Sequence, residues 1–198
     1  TQNSTMSKLL IPLAILFVGC KAERVKPENF VERKITLVDS SSKKEVCKID
    51  LFVPVQFDTL LGWLDWNDAG YVQKLRITNS KGCLIQESGF FKTKFCRDSI
   101  RRLTIEYGGG PPWFKVDTGY LRERVNLLTM RCQDVRLPTP QFHEKSIKRI
   151  WGHDFAVIDY TQQNFLTQKT SREIEATTSV KKLVLIFHFE CSQDNCSD

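Results

Sequence analysis

At 198 residues, with 41% hydrophobic and 26% charged side chains, the chain is long enough to bury a sizeable core in one domain. Its net charge of +6 is a mild excess, which permits attraction to acidic surfaces without making a polyanion the necessary partner. No segment is both long and apolar enough to cross a bilayer as a helix, which excludes a single-pass receptor or channel.

Taken in chain order, the first feature is an export signal. Met6 reads as the initiator, Lys8 supplies a positive start, and residues 9–18 (LLIPLAILFV) form an uninterrupted apolar run. That run suits a cleavable signal peptide and is too short for a spanning helix, which needs roughly 20 residues. Cleavage after Cys20 or Ala22 leaves residues 1–22 as leader and residues 23–198 as one exported β-rich domain, with a sub-boundary at 133–141. A competing reading takes Phe17-Val18-Gly19-Cys20 as a lipoprotein box, with Cys20 lipidated and the protein held at a membrane surface. Six further cysteines speak against it.

Strand periodicity follows. Cys47, Ile49, Leu51 and Val53 share one face of residues 46–53, with Lys48 and Asp50 opposite and Pro54 ending the run. The segment Leu60-Leu61-Gly62-Trp63-Leu64-Asp65-Trp66 is too apolar for a free loop. Trp63 and Trp66 therefore either pack on the core or present a patch to a partner. Residues 71–78 and 83–88 flank Asn79-Ser80-Lys81-Gly82, which predicts a hairpin with glycine where a positive φ is wanted. Alternation continues through Phe91, Thr93 and Phe95, and again through Leu103, Ile105 and Tyr107. The run Gly108-Gly109-Gly110-Pro111-Pro112 breaks it, leaving Trp113 as an aromatic anchor or recognition element. Residues 113–116 and 124–132 read as extended, residues 136–141 (RLPTPQ) as a connection, and residues 155–160 and 182–189 as strands. The polar stretch 161–178 reads as a long loop or a short helix in the C-terminal third. The pattern predicts an all-β fold, an antiparallel sandwich with disulfides.

In an oxidising compartment Cys47, Cys83, Cys96, Cys132, Cys191 and Cys196 are expected to pair, with the connectivity open and a local Cys191–Cys196 loop the simplest guess. The spacing fits neither a zinc site nor any other metal centre, and no cofactor motif is present. For chemistry the chain offers no H-E-x-x-H, no nucleophile elbow and no phosphate loop. His143, His153 and His188 share no common spacing, and His188 reads as packed or solvent-facing. The candidate binding residues are the basic group Lys92, Lys94, Arg97, Arg101 and Arg102, with Trp63, Trp66 and Trp113. They suit an extracellular protein, an acidic polysaccharide or a lipid surface; export argues against nucleic acid.

Cys96-Arg97, Leu103-Thr104-Ile105, residues 114–121 (FKVDTGYL) and Arg131-Cys132 follow one another in an order that resembles the secreted transthyretin-like proteins of nematodes. Thr78-Asn79-Ser80-Lys81-Gly82 is similar to that family's threonine-to-glycine turn. The resemblance spans about half of the exported chain and implies a small extracellular β-sandwich that binds without catalytic residues. Residues 133–198 have no counterpart in it. The expected function is a secreted, disulfide-bonded binding protein; the alternatives are a secreted enzyme of unrecognised type and a lipid-anchored surface protein.

Overall fold

The computed structural model describes residues 15–17, 28–38, 44–67, 70–78, 101–109, 114–150, 152–163, 168–180 and 183–192. The chain divides into two compact units, 1–55 and 56–198. The division thus falls before the Trp63 segment, and the connection at 133–141 lies inside the second unit.

The first unit is a three-stranded antiparallel sheet of β1 (Ile15–Phe17), β2 (Phe30–Val38) and β3 (Glu45–Pro54), ordered β1-β3-β2. Ile49, Leu51 and Val53 are buried as their alternation predicts, and Ile35 and Leu37 of β2 stand on the same face. Cys47 faces Leu37 at the end of that stripe. Strand β1 comes from the apolar run of the expected signal, and it pairs Ile15 with Leu51 and Phe17 with Ile49. Removal of residues 1–22 would take this strand away and leave that edge of β3 without it.

The second unit holds seven antiparallel strands: β4 (Thr59–Asn67), β5 (Gly70–Thr78), β6 (Arg101–Gly109), β7 (Gln141–Ile150), β8 (His153–Gln163), β9 (Thr170–Val180) and β10 (Leu183–Ser192). Their order is β4-β5-β6-β10-β9-β8-β7. Two meanders, β4-β5-β6 and β7-β8-β9-β10, therefore meet where β6 pairs with β10. Four antiparallel steps separate β6 from β7, so these strands run parallel and need a crossover connection. That connection contains helix α1 (Thr118–Asp134), which packs on β7 and β8.

The mainly β, antiparallel prediction holds, with three local corrections. Residues 124–132 are helical rather than extended. Leu121, Val125, Leu128 and Cys132 recur at helical spacing; Leu128 packs with Ile158 and Tyr160, and Leu121, Val125 and Phe142 flank that cluster. Secondly, residues 161–163 and 170–178 are neither loop nor helix, but the end of β8 and most of β9. Thirdly, the residues that pair with β5 are those of β4 and β6, so the hairpin into β5 closes at Asn67 and Gly70. Residues 79–100, with the turn expected there, lie outside the described residues.

Both ends of α1 are written locally. Asp117 is the N-cap, and its carboxylate accepts a hydrogen bond from the Tyr120 amide at 3.0 Å. At the other end the Leu137 amide donates to the Cys132 carbonyl (2.8 Å) and the Arg136 amide to the Gln133 carbonyl (2.9 Å), with Arg136 left-handed at φ 58°. This is the Schellman pattern, here with arginine in the position that usually takes glycine. Replacing Asp117 with alanine is expected to cost about 1 kcal/mol, read as a lower urea midpoint with an unchanged slope. No loss would mean that packing alone holds the helix start.

The two faces of the second sheet differ sharply. On one face Ile105, Phe187, Ala176 and Val157 stand side by side across four strands, with Leu185 and Phe155 beside them, all buried. The other face lies toward α1 and is largely polar: Tyr160 and Gln162 on β8, Ser171, Glu173, Glu175 and Thr177 on β9, His188 on β10. That face carries the candidate site.

Candidate functional site

The alternation of β9 (TSREIEATTSV) explains how carboxylates come to be buried. Glu173 and Glu175 are two residues apart, so both point to the helix side, where each is about as buried as the core residues. A buried carboxylate is tolerated only when it is paired and hydrogen-bonded. Both are. Glu175 receives a bidentate guanidinium from Arg124, at 2.6 and 2.7 Å. Glu173 receives Tyr160 Oη (2.9 Å), Ser171 Oγ (3.1 Å), Gln162 Nε2 and His188 Nε2 (2.7 Å).

Register places these donors. Tyr160 stands directly opposite Glu173, Gln162 opposite Ser171, and His188 opposite Glu175. The helix completes the frame. Tyr120 Oη reaches Thr177 Oγ1 at 3.2 Å, Arg124 reaches Glu175 one turn later, and Cys132 Sγ lies 3.6 Å from Gln162 Oε1 near the helix end. Between α1 and the sheet is a cavity of about 560 Å³, a size ordinary for small-molecule sites. Glu173 and His188 line it from the sheet and Arg124 and Arg131 from the helix, with Leu128 and Ile186 among its apolar walls.

Electrostatics follow from this geometry. Burial alone would raise the Glu173 carboxyl, yet the hydrogen bond and charge of His188, with the bonds from Gln162 and Tyr160, hold it down at about 2. Burial would lower His188, and the Glu173 carboxylate overrides it, so the imidazole is raised above its ordinary value. Tyr160 is raised, first by burial and then by the neighbouring Glu173 and Glu175. Burial also pushes the Cys132 thiol up, with Glu173 adding to it. The result is a charged but internally neutralised floor: Glu173 with His188 and Glu175 with Arg124. Beside it Glu106 pairs with Lys74 at 3.0 Å.

The residues singled out from sequence fall elsewhere. Trp63 and Trp66 are on β4 and Arg101 and Arg102 open β6, at opposite sides of β5. Lys92, Lys94, Arg97 and Trp113 lie outside the described residues, as do Cys83, Cys96 and Cys196. Two disulfide expectations are corrected: Cys47 and Cys132 are thiols. Cys132 is buried under the helix beside Gln162, and the Cys47 thiol lies 3.5 Å from the Lys48 carbonyl. His143 bonds Thr161, and Asp154 pairs with Arg149, so the His153-Asp154 neighbours do not stand as an isolated dyad. Among the described residues no cluster of His, Cys, Asp and Glu could hold a metal ion. His188, packed or solvent-facing on its sequence alone, stands on the helix-side face with its Nε2 2.7 Å from Glu173. The signal that would have placed it is the Glu-x-Glu on β9, legible only once β9 is read as a strand.

No family model and no curated protein matches this chain. Among solved structures it is similar to a Pseudomonas aeruginosa protein of unknown function, at 13% identity and a TM-score of 0.37, over 83% of this chain and 85% of that one.

Proposed function

We propose that this is an exported binding protein without catalytic chemistry, and that the cavity under α1 is its small-ligand site. One observation carries the reading: the ionised groups on the cavity floor are already committed to one another. Glu173 accepts from four donors and Glu175 from both arms of Arg124, which leaves neither carboxylate poised as a base. The raised thiol of Cys132 makes a poor nucleophile. A preorganised, charge-neutral floor beneath a partly apolar wall suits reversible binding. For export, support comes from the apolar run at residues 9–18.

The binding reading is tested by nuclear magnetic resonance with a chemically mixed set of neutral, anionic and cationic small molecules. Binders are expected to shift amides of β9, β10 and the last turns of α1 together. Shifts confined to other strands, or none at all, would overturn the reading.

The lipid-anchored form through Cys20 is a second reading, favoured by a specific finding. With Cys47 and Cys132 present as thiols, the cysteine count argues less strongly against a lipoprotein. The intact mass of the naturally exported protein separates the two. Export by cleavage predicts a chain starting at Lys21 or Glu23, whereas anchoring predicts Cys20 first, with the added mass of lipid.

A further inference from the structure

We propose that the ligand of this cavity is a monocarboxylate with an apolar body, its carboxylate received between the His188 ring on the sheet and the Arg131 guanidinium on the helix. This rests on the cavity being the ligand site and adds the chemistry of what enters it. Three features of the geometry carry it.

The first is the unused donors. His188 Nε2 is held by Glu173, and Nδ1, its other nitrogen, makes no hydrogen bond among the described residues, although the ring lines the cavity. Fixing one nitrogen of an imidazole on a carboxylate orients the ring and leaves the other nitrogen to present its proton outward. Arg131 also lines the cavity, and its guanidinium has no partner among the described residues. Arg131 is one heptad beyond Arg124, so both project from the same side of α1. Arg124 is spent on Glu175. Arg131, two turns further along the helix, lines the same cavity as Glu173 and His188.

Charge balance is the second feature. The groups facing His188 are Glu173 and Glu175 on β9, Glu190 on its own strand, Glu106 on β6, and Arg124, Arg131 and Asp134 on α1. Glu173 is matched by the imidazole, Glu175 by Arg124 and Glu106 by Lys74. Glu190 has partners of its own. On the helix Arg131 shares the cavity wall with Asp134, three residues on, and no ion pair joins the two among the described residues. With Asp134 counted the lining carries no surplus positive charge, so a single negative head is held by the hydrogen bonds of His188 and Arg131, and a phosphate-like dianion is opposed by the nearby carboxylates.

The third feature is the wall. Leu128, Ile186, Val135 and Leu137 give the cavity an apolar side, the last two brought there by the Schellman turn that ends α1. An anionic head with an apolar body therefore meets matching surfaces at both ends, and 560 Å³ leaves room for a medium-length chain or a fused ring.

Three probes of one shape test the assignment: octanoate, octanol and octylamine, titrated by calorimetry into the full exported chain at about pH 6. Octanoate is expected to bind at least about tenfold more tightly than octanol, the worth of one charge-assisted hydrogen bond, with octylamine weaker still. Arg131→Gln, at an exposed position that leaves the floor intact, should weaken octanoate about tenfold and leave octanol unchanged. The imidazole nitrogen resonances of His188 should move with octanoate and not with octanol. Octanoate binding should also fall as pH rises through the raised value of His188. Octanol or octylamine binding as tightly as octanoate would overturn the carboxylate assignment, and so would octanoate affinity indifferent to Arg131→Gln. In those cases, or if none of the three binds while other small molecules still shift β9, β10 and α1, the cavity stands as a ligand site. If no small molecule of any charge perturbs those elements, both readings fall.

Discussion

Arg124→Met is expected to destabilise the fold by about 3 kcal/mol, measured as a fall in the free energy of urea unfolding. The size follows from what is left behind. Glu175 is 3% exposed, and both of its oxygens accept from this single guanidinium. Removing the guanidinium strands a desolvated carboxylate, which then either takes up a proton or draws water under the helix. Either route costs far more than a surface ion pair is worth. The pair is also the charged tie between α1 and β9, beside the Tyr120–Thr177 hydrogen bond, so its loss should be felt by the helix before the sheet. The double variant Arg124→Met with Glu175→Leu removes the stranded charge and should recover most of the loss. A double variant no more stable than the single one would place the cost in helix packing and refute the ion-pair account. Arg124→Lys should fall between them, because a single ammonium cannot reproduce two parallel hydrogen bonds.

The second large effect is a bell-shaped dependence of stability on pH, centred on Glu173 and His188. Glu173 is depressed in the folded state from its ordinary 4.5 to about 2, so its contribution is complete above about 4.5 and is lost as pH falls toward about 2. His188 is raised in the folded state, so its contribution is complete below its ordinary 6.5 and is lost as pH climbs through the raised value. Stability is therefore expected to peak between about 4.5 and 6.5, with an acid limb of order 3 kcal/mol. Urea midpoints across the pH range measure both limbs. Glu173→Gln keeps the shape of the side chain and should erase the acid limb, and it removes the hydrogen bond and charge that most raise His188 against burial. His188→Gln should flatten the alkaline limb and leave Glu173 with three donors. An acid limb of full size in Glu173→Gln would assign the transition to another carboxylate.

Glu173, Glu175 and Arg124 give no signal in a linear reading, and His188 shows there only as packed or solvent-facing; the reason is physical. Periodicity detects a strand when one face is apolar, as in Cys47, Ile49, Leu51 and Val53 or in Leu103, Ile105 and Tyr107, and there it placed the core faces correctly. In β9 the helix-side face is Ser171, Glu173, Glu175 and Thr177, four polar residues that are buried because partners from β8, β10 and α1 satisfy them. Nothing in TSREIEATTSV announces those partners. They arrive from as much as 57 residues away, as Tyr120 does for Thr177.

Helix α1 was concealed differently. Its signals, Asp117 as cap and the spacing of Leu121, Val125, Leu128 and Cys132, are present in the residues. The glycine and proline run before it and the Thr118-Gly119 start made an extended reading equally natural, and only packing against Ile158 and Tyr160 decides for the helix.

By itself the sequence determined the mainly antiparallel β class, the apolar leader-like run, and the alternating strands of the core, because these depend on local periodicity and composition. The tertiary structure alone decided the division after Val55, the position of α1 on the polar face, the thiol state of Cys132, and the buried Glu173–His188 and Arg124–Glu175 pairs. Each of these depends on which residues meet across the sheet, and a charged side chain is stable in the interior only where such a meeting neutralises it.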